Sequence, residues 1–277
     1  MPSATAADEP PQLAPNGLPY TNKDEEPVNE WARRSDVLRN LPADPVRSTH
    51  PFVVARPRGA VGGGLGLFTL CGIRKGEVVW AELADAGGQT TATPRSRAWI
   101  EALPAAAKRA YCHYMYKTGP DTYQSLAEFN DLPVDQYPSA RTVDIANYMN
   151  HSCEPTCAFV DGGAAYANVM VALRDLYPGE EITYDYATSE DCELAPAWEC
   201  ACGAEACRGR VAPDDWKRPE LQERYAGMFL PHIAERIDAD RLARDPAAAP
   251  MPPLRPVDVG SAWWVTLQAG GVLSPSS

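Results

Sequence analysis

Positive charge is what this sequence has least to spare. Only 25 Lys and Arg stand against 37 Asp and Glu, a formal net charge of −12. Such a chain repels phosphates, so direct nucleic-acid binding is not expected, and a basic partner such as a Lys/Arg-rich peptide suits it. Solubility alone accounts for the acidity equally well. Long apolar runs are missing too: none approaches the roughly 20 residues that span a bilayer, so no membrane contact is expected. The opening "MPSATAADEPPQ" has neither a positive cluster nor an apolar core, which predicts no secretory signal and an intracellular protein. Phosphate loops are also absent. "GGGLGLF" (62–68) is followed by no Lys-Ser/Thr and contains no G-x-G-x-x-G. What it offers is a G-x-G-x-F, which on its own reads as a plain turn.

What is present suffices for a folded domain. A length of 277 residues fits one large domain or one domain plus tails, and 45 % apolar residues supply a sizeable core. Residues 1–48 are rich in Pro, Ala and acids and read as a disordered tail, with one helical turn at "NEWARRSDVLRN". Residues 239–277 ("RDPAAAPMPPLRP") read as mostly disordered too, with Trp263 and Trp264 standing out. Between these tails the pattern is mainly β. "HPFVVARP" and "EVVWAEL" are short strand-like runs bounded by Gly and Pro. Spacing predicts a helix from Ala98 to Met115, with Trp99, Leu103, Ala107, Tyr111 and Tyr114 on one packing face. "YANVMVALRDL" alternates, with Ala167, Val169, Val171 and Leu173 on one face. Pro178-Gly179 then turns the chain into "EITYDY". A short amphipathic helix follows in "PELQERYAGMF", expected to end near Pro231.

Three stretches carry chemistry-bearing residues. "NYMNHSCEPTC" places Asn150, His151, Ser152 and Cys153 in succession, compatible with a nucleophile pair, a metal site or neither. "WECACGAEACRG" spaces Cys200, Cys202 and Cys207 as C-x-C-x4-C. Among eight cysteines of a reduced compartment this points to a metal site. Tetrahedral zinc wants a fourth ligand, with Cys153, Cys157 and Cys192 as candidates, and a closed four-thiolate site is structural. In "GEEITYDY" strand alternation puts Ile182, Tyr184 and Tyr186 on one face and Glu181, Thr183 and Asp185 on the other. Taken alone, the tyrosines read as half-buried packing.

In this order, G-x-G-x-F, N-H-S-C with Pro two residues on, G-E-E-I-T-Y-D-Y and C-x-C-x4-C, the chain resembles a SET-domain protein lysine methyltransferase with a post-SET zinc segment, over roughly residues 50 to 210. The resemblance implies a mainly β, SET-domain (β-clip) fold in which the N-H-S-C and Y-D-Y segments form a pseudoknot. It implies a SET domain at 49–190 with a small helical insert at about 85–143, a Cys-rich post-SET zinc segment at 191–212 and a helical extension at 213–238. S-adenosylmethionine would be bound by Asn150 and His151 and by the backbone near Leu65 and Gly66, and Trp198 is a candidate to pack on its adenine. Cys153 would complete a structural Zn2+ site with Cys200, Cys202 and Cys207. No nucleophile is then needed in N-H-S-C.

Tyr186 matches the tyrosine of the methyl-transfer site, and Tyr184 lies where the family carries Phe or Tyr. Lysine has a pKa near 10.4, yet a sulfonium about 4 Å away costs an ammonium about 4 kcal/mol at a dielectric of 20. That is roughly three pKa units, so no dedicated base is required. A tyrosine at 184 narrows the channel and predicts mono- or dimethyl product. The expected partner is a protein or peptide with a lysine in a basic context, and the location nuclear if that protein is a histone, otherwise cytoplasmic. The alternatives are a catalytically degenerate SET module acting as a peptide-binding scaffold, or an active enzyme for a non-histone protein. Three positions depart from the family pattern: Asn147 where many members carry Arg, "WAELADAGG" in place of a Tyr-x-Gly-Glu run, and Thr156 in place of a frequent Asn.

Overall fold

Short β-branched runs punctuated by Gly and Pro form the strands. The computed structural model describes residues 48–50, 52–58, 64–83, 94–113, 115–119, 121–125, 145–194 and 197–262. The expected N-terminal tail, its helical turn, Tyr114, Trp263 and Trp264 lie outside these residues. One sheet runs β1 (Val53–Pro57), β2 (Leu65–Thr69), β9 (Glu181–Tyr184), β6 (Asn150–His151) in that order. β1 and β9 both pair antiparallel with β2, whereas β6 lies parallel to β9, His151 opposite Tyr184. A second sheet orders β3 (Val78–Leu83), β8 (Tyr166–Ala172) and β7 (Cys157–Val160), all antiparallel. Two small hairpins complete the mainly β architecture: β4 (Met115–Gly119) with β5 (Thr122–Ser125), and β10 (Trp198–Glu199) with β11 (Arg210–Val211).

Several sequence expectations change here. The G-x-G-x-F is not a plain turn: Gly64, at φ +71°, lets the chain enter strand β2. The single helix expected from Ala98 to Met115 is two, α1 (Arg97–Glu101) and α2 (Ala105–His113), and Met115 already belongs to β4. Pro104 lies between them; its missing N–H and its ring forbid a continuous helix. Ser96 caps α1 by accepting the Trp99 amide. In β8 the expected alternation holds, Val169 and Val171 sharing one face, but the opposite face is buried as well, through Met170 and Ala172. As the central strand it has cores on both faces: Met170 and Ala172 pack with Leu67, Phe159 and Ile182, while Val169 packs with Val78, Ala81 and Val259.

The C-terminal part differs most from its sequence reading. The helix in "PELQERYAGMF" is only α3 (Pro219–Arg224), and Pro231 opens a second one, α4 (Pro231–Arg244), instead of closing the first. Proline at a first helical position loses no hydrogen bond. Nor are residues 239–262 a disordered tail. Met251 and Val259 are buried, and Asp161 and Pro256 form a parallel bridge. The Met251 amide donates to the Asp238 carboxylate at 2.7 Å. Apolar residues spaced by prolines pack here as an extended strap, which carries no periodicity to read. Trp216, Leu221, Tyr225, Phe229, Ile233, Ile237 and Met251 form a separate core that includes Ala187, the residue after Tyr186. Among the described residues no helix is long and apolar enough to cross a membrane.

Candidate active site and metal centre

β6 brings Asn150 and His151 beside the end of β9, and the polar groups of the two segments satisfy one another. The Asn150 amide nitrogen donates to the Leu65 carbonyl at 2.8 Å and to Glu181 Oε1 at 2.9 Å. Glu181 also meets Arg58 Nε at 2.8 Å. A Cβ on Gly66 would run into Glu181 Oε1 and stand 3.1 Å from Asn150 Nδ2, so a side chain here would displace the Glu181 carboxylate. Thr156, the departure from the family's Asn, has a clear local task. Its hydroxyl accepts the Thr183 amide at 2.8 Å and reaches the Glu181 carbonyl at 3.0 Å, tying the loop after Cys153 to β9.

His151 is buried and its two ring nitrogens have different work. Nδ1 accepts the Tyr186 amide at 3.2 Å, which leaves the proton on Nε2, 3.4 Å from the Cys153 sulfur. Burial lowers its pKa to about 4, against the opposing pull of Asp185, so the ring is neutral. Ser152 donates its amide to the Tyr184 carbonyl at 3.0 Å.

The strand expected to run through Tyr186 stops at Tyr184. Asp185 caps a single 3-10 turn, Tyr186–Thr188, by accepting the Ala187 amide. The two phenols still converge: ring centroids of Tyr184 and Tyr186 are 4.8 Å apart, and Tyr186 lies 5.3 Å from His151. The Tyr186 hydroxyl donates to the Met149 carbonyl at 3.1 Å, which leaves its oxygen lone pairs for another partner. Burial raises the pKa of both phenols, so both stay protonated. Trp198, 43 % exposed, stands edge-on to His151 at 5.9 Å and to Tyr186 at 6.4 Å. A groove of about 550 Å³, within the usual size range for a small-molecule site, is lined by His151, Ser152, Thr156, Arg58, Arg174, Glu154, Glu181 and the Cys202–Ala204 turn.

Of the three candidates for a fourth sulfur ligand, the fold delivers Cys153. Its Sγ and those of Cys200, Cys202 and Cys207 all lie within 4.8 Å of one another. A tetrahedron of 2.3 Å zinc–sulfur bonds has edges of about 3.8 Å, which is the Cys153–Cys200 separation. Burial pushes the Cys153 and Cys200 thiols up. In Cys202, hydrogen bonds from the Cys153 and Ala204 backbone and from the neighbouring sulfurs overcome burial and bring it down to about 7. Cys157 sits in the core, where burial raises it to about 12, and Cys192 packs in another cluster with Ile100 and Tyr123.

Sequence reasoning missed the group that joins these parts. Arg208, in the "CRG" after the last cysteine, grips the buried Asp185 with two bonds of 2.6 and 2.9 Å and reaches Asp215 at 3.2 Å. Its amide also lies 3.3 Å from the Cys153 sulfur. An arginine fork fits a carboxylate in this way, but nothing in a one-dimensional motif says which carboxylate.

The family profile described as SET domain matches residues 64–187, a span that holds both tyrosines and the N-H-S-C segment. Residues 64–187 are a SET domain. A Schizosaccharomyces pombe protein named "Histone-lysine N-methyltransferase, H3 lysine-4 specific" is 31 % identical over 149 residues, 52 % of this chain and 14 % of that protein. Arabidopsis thaliana "Histone-lysine N-methyltransferase ATX2" is 35 % identical over 128 residues, 45 % of this chain and 11 % of that one. The matched region is thus a small part of these relatives' length. A crystal structure of KRYPTONITE in complex with mCHG DNA and SAH is 22 % identical, with a TM-score of 0.34 over 56 % of this chain and 28 % of that one. The Cys cluster, whose other three members follow residue 187, meets this SET domain through Cys153.

Proposed function

We propose that this SET domain transfers a methyl group from S-adenosylmethionine to the ε-amine of a lysine in a basic protein segment, giving mainly mono- or dimethyl product. The observation that supports it best is the meeting of Tyr186 with His151 and Tyr184, with the Tyr186 proton already given to Met149. The phenol oxygen is thereby an acceptor, able to orient an amine N–H and to favour the partial positive charge of a methyl in flight. Relatives named histone H3 lysine-4 methyltransferases, together with the −12 charge, favour a histone-like tail as substrate.

The residues fit the cofactor. His151 borders the groove and also meets Tyr186; Arg58 and Arg174 with Glu154 and Glu181 offer both signs of charge for an amino-acid group and sugar hydroxyls. Asn150, His151, the Leu65–Gly66 backbone and Trp198 would hold it, and when bound it supplies a methyl activated on a sulfonium. The chain's own contribution is alignment and exclusion of water at the tyrosine pair. The four thiols of Cys153, Cys200, Cys202 and Cys207 suit a structural Zn2+, in the role of a post-SET segment. One zinc per chain is expected by elemental analysis.

The test is methyl transfer from labelled S-adenosylmethionine to a histone preparation, comparing wild type with Tyr186→Phe. Loss of this one hydroxyl should cut turnover about a hundredfold or more, while calorimetry shows cofactor binding unchanged. A wild type that binds no cofactor would overturn the reading in favour of a peptide-binding scaffold. Label on lysate proteins but not on histones would move the substrate to a non-histone protein.

A further inference from the structure

Just beyond the tyrosine pair lies an acid that the methyl-transfer reading leaves without a task. The Ser189 hydroxyl oxygen is 3.5 Å from the Tyr184 phenol oxygen and 3.3 Å from Oε1 of Glu190. Three elements pin this stretch. The Lys117 amide of β4 bonds the Glu190 carboxylate. Lys117 Nζ and Arg236 of α4 both hold the adjacent, fully buried Asp191 carboxylate, Lys117 at 2.8 Å. The His232 ring meets the Ser189 carbonyl at 2.9 Å. Such fixed surroundings make a hydroxyl relay directional rather than fluid.

We propose that Glu190 is a positioning residue for methyl transfer: acting through Ser189, it sets the direction of the Tyr184 hydroxyl and so how far one amine is methylated. This rests on the lysine-methylation reading above. A serine hydroxyl has one proton and cannot donate to both neighbours. An ionised Glu190 only accepts, so it takes the serine proton. Ser189 then has no proton left for Tyr184, whose lone pairs are free for an amine in the channel. A primary or secondary amine can donate an N–H to them; a neutral dimethylamine has none left. When Glu190 is protonated the relay reverses. The carboxyl donates to Ser189, Ser189 donates to Tyr184, and the phenol proton turns on the amine lone pair that must attack.

The charge state is within reach of ordinary pH. Burial, reinforced by Asp191, lifts the Glu190 carboxyl to about 7, while the Ser189 hydroxyl and the Lys117 amide and ammonium restrain it. The phenols of Tyr184 and Tyr186 feel the same carboxylate. As pH falls through about 7, Glu190 gains a proton and the productive direction is lost.

The experiment follows methyl transfer to a histone H3 tail peptide by mass spectrometry between pH 6 and 9, for wild type, Glu190→Gln, Ser189→Ala and Ser189→Thr. Tyr186→Phe marks loss of chemistry, and thermal melting checks folding. Wild-type kcat for the first methyl should rise through about pH 7. Glu190→Gln and Ser189→Ala should lose that limb and drop about fivefold, the worth of one hydrogen bond, with cofactor KM unchanged and a larger share of higher-methylated product. Ser189→Thr keeps a hydroxyl and should keep the limb. If both relay variants show the wild-type pH limb and product distribution while Tyr186→Phe is inactive, the relay is refuted and methylation stands. If the wild type transfers no more methyl than Tyr186→Phe, the methylation reading falls, and the relay with it.

Discussion

Two regions of the molecule hold the same short turn, Tyr186–Thr188, by opposite means. On one side the knot of β6 and β9 grips it through polar groups that satisfy one another in burial. The Tyr186 amide goes to His151, its hydroxyl to Met149, and Asp185 caps the turn and takes Arg208. On the other side the C-terminal extension grips it mainly by apolar contact: Ala187 is part of the core of Trp216, Phe229 and Ile233. Direct bonds on that side flank the turn: Leu230 N–H to the Thr188 carbonyl at 2.9 Å, the His232 ring to Ser189 and Arg236 to Asp191. Directional bonds fix where a hydroxyl points, whereas apolar burial fixes only that the turn stays docked. The knot should therefore govern turnover and the extension stability.

Truncating the extension core tests that division most severely. Phe229 is 2 % exposed. Phe229→Ala should cost about 3–5 kcal/mol of unfolding free energy, read by denaturant titration, while turnover per folded molecule stays near wild type. A hundredfold loss of turnover in the folded fraction would show that the extension also tunes the site. Arg208→Lys probes the seam between the two regions. It keeps the charge but loses the fork on Asp185, and should cost about 2 kcal/mol. Because the same residue's amide faces the Cys153 sulfur, zinc retention measured alongside will show whether the seam and the metal centre are one unit.

The knot was legible in the sequence and the extension was not, for a physical reason. Asn150, His151, Tyr184, Tyr186 and the three clustered cysteines are chemically unusual residues at fixed spacings, and their order survives any reading. Even there the detail failed at Tyr186, placed by strand alternation but delivered by a 3-10 turn. Alternation is a rule for continuous strands, and Asp185 capping the Ala187 amide ends this one. In β8 the faces alternate as expected, but apolar residues on both of them left the second core unread. The extension is held by Ile233, Phe229 and Met251, ordinary apolar residues interrupted by Pro and Gly, whose composition is that of a tail. Only the three-dimensional meeting with Ala187 gives them a role, and the partners of Arg208 and Glu190 are equally invisible until the fold supplies them.

The mildest prediction concerns Trp198, whose ring contacts lie on the knot's side. Trp198 is 43 % exposed, sits in the two-residue strand β10 opposite Val211, and meets His151 and Tyr186 only edge-on. Removing so exposed a ring should change stability by less than about 0.5 kcal/mol. If the open face packs on the cofactor's adenine, Trp198→Ala should weaken S-adenosylmethionine binding about tenfold by calorimetry, since stacking on an aromatic face contributes about 1 kcal/mol or somewhat more. Turnover at saturating cofactor should hardly move, because the ring is no part of the Tyr186 hydrogen bonds. Weakened stability with intact cofactor affinity would instead make Trp198 a clasp for the cysteine segment, shifting it from the knot's side of the comparison to the extension's.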